Sequence, residues 1–196
     1  MKRLTALIMA VFLVLSLAPQ ARGDFDPEVD YMARMLDAVA SGDEAAGGAA
    51  ELSRNEKIAA LEMEHIPIAF QDLNLLAKIM YAEAGSVWLD DDWRLCVGEV
   101  VLNRVASPEF PNTIQEVLDQ PGQYYGPNNP YFLSLLPGRN CAVLAQRLLE
   151  GYRSMEPSVV FQANFQQGSG VYLARCDSQL GWTYFCYSLR PELYPG

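Results

Sequence analysis

The stretch Asp72–Gly85, DLNLLAKIMYAEAG, decides how the chain folds. Asp72 suits a helix N-cap, and Gly85 suits the position just past a helix end. Between them Leu73, Leu76, Ala77, Met80, Tyr81 and Ala84 recur at helical spacing, and Leu75, Ile79 and Ala82 widen the apolar arc. Asn74 and Lys78 leave only a narrow polar side. At about 100° per residue, Glu83 projects between Leu76 and Ile79, roughly opposite that polar side. The spacing therefore predicts a carboxylate on the buried side of an apolar helix, in its last turn. Burial and the negative end of the helix dipole both disfavour the charged form, so both raise the pKa. A carboxyl that keeps its proton near neutral pH suits general-acid work on a glycosidic oxygen. The competing reading is a glutamate that snorkels out at the helix end or pairs with an arginine.

Met1–Gly23 reads as an export signal. Lys2 and Arg3 precede an apolar run from Leu4 to Leu17, and small residues follow at Ala18–Gly23. The run is short for a membrane span, so no stable membrane insertion is expected after cleavage. Cleavage would remove Lys2, Arg3 and Arg22 and no acid, taking the formal net charge from −10 to −13. Such a chain is a poor partner for nucleic acid or an anionic membrane and suits a neutral or weakly charged polymer. Export permits disulfides among Cys96, Cys141, Cys176 and Cys186. Cys176 and Cys186 are the best pair, and plain buried thiols are the competing reading. No CxxC spacing suggests a metal site, and no cofactor is called for. The single histidine, His65, falls in a linker without a supporting motif, and Gly168-Ser169-Gly170 does not complete GxSxG. Serine and cysteine hydrolase centres are thereby disfavoured.

Outward from the central helix, residues 24–70 read as a helical N-terminal extension, with helices at Asp24–Ala40 and Leu52–Glu64. Ser41–Ala50 reads as a Gly/Ala-rich loop or weak helix, and Ser53 with Glu56 as a capping box. Pro67 breaks the chain before a main domain at 71–196. Asp90, Asp91 and Asp92 start a helix running to about Val105, on which Glu99 is a second-carboxylate candidate beside Asn103. Thr113 and Glu116 predict a capping box for a short helix. Gln120-Pro121-Gly122-Gln123-Tyr124-Tyr125-Gly126 is a stiff loop of amides and aromatics, fit to stack on sugars or simply to turn the chain. Pro127–Gly138 reads as irregular, and Asn140–Glu150 as a helix. Ser158–Gln162, Val171–Ala174 and Trp182–Tyr187 read as three short antiparallel strands. The fold class is α+β, mainly helical, with a small antiparallel sheet near the C-terminus.

The segments YAEAGSVW, VGEVVLNRVASPEFPNTIQEVLDQPGQY, FQANFQQGSGVY and TYFCY, in that order, resemble the SleB/CwlJ-type cell wall hydrolases, the catalytic-domain family of spore-cortex-lytic enzymes. The resemblance covers roughly Asp72–Ser188. It implies a lysozyme- or lytic-transglycosylase-like domain acting on peptidoglycan glycan strands, in the cell wall or spore envelope, without a cofactor. The glutamate of its YAEA motif, Glu83 here, is implied as the catalytic acid. Tyr81, Gln120, Gln123, Tyr124, Tyr172, Thr183 and Tyr184 are implied as substrate-binding residues. The chain departs from the family where Gly85-Ser86-Val87 replace an Arg-Gly-Glu and where Trp182-Thr183 stand in place of a histidine, so no role carried by those residues transfers.

Three mechanisms follow as expectations. A lytic transglycosylase needs Glu83 alone, acting first as acid and then as base. A water-using muramidase needs a second carboxylate across the cleft, for which Glu99, Glu109 and Asp92 are the candidates. A glycan-binding germination accessory protein needs neither.

Overall fold

A computed structural model describes residues 27–194. The expected export signal at 1–23 lies outside the described residues. Among the described residues seven α-helices come first: α1 Pro27–Ser41, α2 Glu44–Leu61, α3 Phe70–Ala84, α4 Asp91–Ala106, α5 Ile114–Leu118, α6 Pro130–Ser134 and α7 Gly138–Leu149. Three strands follow, β1 Val159–Ala163, β2 Val171–Asp177 and β3 Gly181–Tyr187. They form one antiparallel sheet in the order β1-β3-β2. The α+β class expected from the pattern is therefore the class observed. No helix among the described residues is long and apolar enough to cross a membrane.

α3 is the hub because it is apolar almost all round. It packs against α4 and α7, with α1, α2, α5 and α6 filling in beside it. Its two polar side chains are the first surprise. Asn74 and Lys78, expected to mark the solvent side, are both buried. The start of α2 and the short α6 cover them. Asn74 Nδ2 donates to Glu44 Oε1 at 3.4 Å, and Lys78 Nζ donates to the Leu133 carbonyl at 3.0 Å. α6 falls inside the stretch expected to be irregular. Asn129 caps it by accepting from Tyr131 N, and the buried Phe132 anchors it.

Other helix starts also differ from expectation. Asp72 does not cap α3; the N-cap is Ala69, and the Phe70 amide instead donates to Glu51 Oε2 of α2 at 2.9 Å. Ser41–Ala50 is mostly helix, because the Asp43 carboxylate accepts from Ala46 N at 2.9 Å and starts α2 early. Ser53 and Glu56 consequently lie inside the helix rather than at its start. The Thr113–Glu116 capping box forms as expected, with Glu116 N donating to Thr113 Oγ1 at 3.2 Å and that hydroxyl donating to Glu116 Oε2 at 2.8 Å.

Gly47 lets α2 meet α3. A Cβ at that position would sit 2.1 Å from the Phe70 ring. Gly47→Ala is therefore expected to cost about 1–3 kcal/mol through overpacking, despite alanine's higher helix propensity. Urea unfolding checks this, and a variant more stable than wild type would contradict it.

All four cysteines are free thiols. The expected Cys176–Cys186 pair fails on register. Cys176 lies opposite Trp182, whereas Cys186 lies opposite Val171, towards the other end of the β2–β3 ladder.

The sheet is fastened to α4 by two neighbouring polar side chains. Asn103 Nδ2 donates to the carbonyls of Glu156 and Val159, each at 3.0 Å. Arg104 Nε donates to the Val160 carbonyl at 2.7 Å. These bonds fix where β1 runs relative to the helices, and so where its later side chains point.

Candidate active site

Glu83 occupies the last turn of α3, on the azimuth of Leu76 and Ile79. Those two are fully buried, but Glu83 is exposed. The expectation of a buried carboxylate is thus corrected: the core covers the earlier turns, and the helix end outruns it. Protein nevertheless crowds the carboxyl from other directions, and this desolvation raises its pKa above the ordinary glutamate value. The two observations agree for a group that water reaches from one side while protein crowds the others. Glu83 makes no ion pair among the described residues, so the arginine-paired alternative does not hold.

The helix stops in a tight geometry. Gly85 has φ −75°, so it is not there for a left-handed turn. A Cβ on Gly85 would lie 2.2 Å from the Tyr81 carbonyl oxygen, so glycine is required by close approach.

Gln162 of β1 faces Glu83, with Nε2 3.5 Å from Glu83 Oε2, at the long limit of a hydrogen bond. Tyr124 is also near: the Glu83 charge raises its phenol pKa, adding to the larger effect of burial, while Arg104 acts in the opposite direction. The Tyr124 hydroxyl, Gln120 Oε1 and Gln162 Oε1 are all buried without a hydrogen-bond partner among the described residues. Gln120 and Tyr124 also border a hollow of about 290 Å³ between Leu118 and Pro130. The amide-aromatic loop is therefore part of a built surface.

The remaining expected binding residues divide. By strand alternation Thr183 shares the sheet face of Phe185, opposite Gln162, and it pairs with Arg175. Tyr184 alternates to the other face, where its ring stacks on exposed Trp182 with centroids 5.8 Å apart. Tyr172 donates from its hydroxyl to the Ser154 carbonyl at 3.1 Å. It borders a separate hollow of about 520 Å³ with Asp92, Cys96, Tyr152 and Arg175, where burial pushes the Cys96 thiol up to about 11. Gln123 is exposed on its loop. Tyr81 packs on the core at the Gly85 bend, on the opposite side of α3 from Glu83. Another hollow, of about 480 Å³, lies between α1 and α7 and is lined mainly by apolar groups such as Met32 and Leu36.

The second-carboxylate candidates fare poorly. Glu99 is fully buried and saturated. It accepts from Ser154 N at 2.9 and 3.0 Å, from Ser154 Oγ at 2.6 Å and from Met155 N at 2.8 Å. It holds the turn before β1 and faces no open space. Glu109 is tied to the C-terminal segment, accepting from Ser188 Oγ and from Tyr194 OH. Asp92 is exposed in the first turn of α4, on the hollow shared with Tyr172.

Sequence reasoning missed Gln162 and Arg104. Gln162 stands beside Ala163 in a short strand, where an amide gives no signal by itself. Arg104 sits inside the apolar run VVLNRV, and a cation in such a run is a flag that periodicity alone does not raise.

A family model described as Cell Wall Hydrolase matches residues 91–179. Over those residues the chain is similar to the SleB/CwlJ-type cell wall hydrolases. The cell wall hydrolase match runs from the start of α4 to just past β2, so it includes Arg104, the Gln120–Tyr124 loop and Gln162. It begins after the helix that carries Glu83. The family points to peptidoglycan as substrate and to a location outside the cell or in its wall. No curated protein and no solved structure matched the chain.

Proposed function

We propose that the protein cleaves the β-1,4 bond between N-acetylmuramic acid and N-acetylglucosamine in peptidoglycan, as a secreted lytic transglycosylase whose one acid is Glu83. A helix-borne acid stands beside the first strand of a small sheet, with Gln162 Nε2 3.5 Å from Glu83 Oε2. The observation that carries this reading is the state of Glu83. It is accessible, makes no ion pair among the described residues, and is desolvated enough to hold its proton more tightly than an ordinary glutamate. Among the named alternatives Glu99 and Glu109 are occupied by structural hydrogen bonds. A single-acid route fits that inventory better than a pair of carboxylates.

In this route protonated Glu83 donates to the glycosidic oxygen as the C1–O bond breaks. The resulting carboxylate takes the proton from the muramic C6 hydroxyl, O6 bonds to C1, and a 1,6-anhydro ring closes. Glu83 ends protonated and no water is consumed. Thr183 and the Gln120–Tyr124 loop are proposed to hold the glycan, with Gln162 orienting the acid.

Mass spectrometry of products from purified peptidoglycan tests the route. Anhydromuramic ends are expected. Reducing ends, heavier by one water, would assign hydrolysis instead. The pH dependence has a defined sign. The first step needs the protonated acid, so the rate is expected to fall as pH rises through the raised pKa of Glu83, at a higher pH than an ordinary glutamate would give. Initial rates across pH check this.

A further inference from the structure

The hollow of about 520 Å³ bordered by the start of α4, the segment before β1 and strand β2 holds a cation and an anion that form no ion pair with each other. The cation is Arg175 of β2. Its Nη1 donates to Asp90 at 3.1 Å and 3.4 Å, which occupies one side of the guanidinium. The other edge, formed by Nε and Nη2, is idle. Nε is buried with no hydrogen-bond partner among the described residues, and Nη2 makes no hydrogen bond among them either. This edge carries the two parallel N–H groups that take a carboxylate in bidentate fashion. Native proteins leave few buried donors unpaired, so an idle fork on a hollow points to an acceptor that the chain itself does not supply. The anion is Asp92, exposed in the first turn of α4 and without an ion pair among the described residues. Leu95, Met155, Leu173 and the Tyr172 ring supply apolar wall, since the Tyr172 hydroxyl is already bound to the Ser154 carbonyl. Cys96 adds no charge, because burial pushes its thiol up to about 11.

Both charges act on whatever enters. A lone carboxylate satisfies Arg175 and is repelled by Asp92, and a lone amine meets the reverse problem. A group with ammonium and carboxylate on one carbon satisfies both. We propose that this hollow binds the zwitterionic end of an amino acid, with its carboxylate on the Nε–Nη2 edge of Arg175 and its ammonium on Asp92. The carbon chain behind that end lies against Leu95, Met155 and Leu173. The volume falls within the roughly 300–1,000 Å³ of small-molecule sites. Such an end occurs on a free amino acid. It also occurs in peptidoglycan, where the diamino acid of a stem peptide that is not cross-linked carries both charges on its far carbon. The inference goes beyond glycan cleavage and draws on that reading only for the stem peptide as a source. No bond is made or broken in this hollow.

Calorimetric titration of the intact protein with meso-diaminopimelate is the test. Pimelate is the same chain without the amines, and cadaverine is the chain without the carboxylates. meso-Diaminopimelate is expected to bind about tenfold or more tighter than either, since each of the others lacks one charge-assisted contact. Asp92→Asn is expected to weaken meso-diaminopimelate about tenfold and to strengthen pimelate, because the repulsion of its carboxylate is gone. Arg175→Gln is expected to abolish binding of both. A structural role for Asp92 would not change the preference between the two ligands. Absence of meso-diaminopimelate binding at millimolar concentration overturns the proposal. So does equal binding of meso-diaminopimelate and pimelate in wild type, or an unchanged preference in Asp92→Asn. If Arg175→Gln fails to fold, Asp92→Asn decides, since that side chain is exposed. The tripeptide L-alanyl-γ-D-glutamyl-meso-diaminopimelate identifies the source. Binding as tight as that of the free amino acid assigns the stem peptide, and its exclusion while meso-diaminopimelate still binds assigns a free amino acid; both outcomes support the site. Glu83→Gln is expected to bind meso-diaminopimelate as wild type does, so failure of the acid reading leaves this result standing, and absence of binding leaves the acid reading standing.

Discussion

Glu83→Gln is expected to reduce peptidoglycan cleavage by about 10²–10⁴-fold, the usual worth of a general acid, with glycan binding retained. Glutamine matches glutamate in shape and keeps a donor towards the substrate, but it has no acidic proton to give. The fold should not suffer. A glutamate whose folded pKa is raised stabilises the protein only while protonated, and that contribution is lost as pH rises through the folded value. A neutral amide avoids the loss, so the thermal midpoint of the variant at neutral pH is expected to equal or exceed that of wild type. Turbidity loss of purified peptidoglycan measures the activity, and a pull-down on the same material measures binding. Full activity in Glu83→Gln would remove Glu83 from the mechanism. Retained binding with no cleavage even in wild type would favour a glycan-binding accessory role.

Glu99→Ala is expected to have the largest effect on stability. The carboxylate of Glu99 is fully buried and takes the amides of Ser154 and Met155 together with the Ser154 hydroxyl. Alanine leaves those donors facing a cavity, and each buried unsatisfied group costs about 1–3 kcal/mol. A total of about 3–5 kcal/mol follows, or a drop in thermal midpoint on the order of 10 °C for a chain of this size. Glu99→Gln should fall between, because an amide oxygen still accepts while its NH₂ group confronts another donor. Calorimetry checks the order. A midpoint within about 2 °C of wild type for Glu99→Ala would show that the turn at Ser154–Met155 holds by other means.

Glu99 also shows where sequence stops being informative. From helical spacing it and Glu83 look alike, each an acid among apolar residues beyond the first turn of its helix. What separates them is the backbone each meets. The turn before β1 closes over Glu99 with amide donors, and that turn belongs to a segment 55 residues away. The central helix itself was legible because almost every side chain from Leu73 to Ala84 is apolar. Which side of it faces water was not, since the start of α2 and the unexpected α6 cover Asn74 and Lys78. The capping box at Thr113 was readable because both partners are local. The cap on Phe70 was not, since Glu51 comes from another helix. The strands were readable from their β-branched and aromatic runs, but their register was not, and register alone keeps Cys176 from Cys186. The packing of Tyr124 on Arg104 and of Gln162 beside Glu83 was not readable, because each contact joins segments far apart in the chain.

The most direct test of the central claim is a ¹³C NMR titration of the Glu83 side-chain carboxyl in the intact protein, assigned by its loss in Glu83→Gln. A midpoint above the ordinary glutamate value is expected, from desolvation at the end of α3. A midpoint at or below that value would mean that the group is already ionised when substrate arrives, and would contradict its role as the acid.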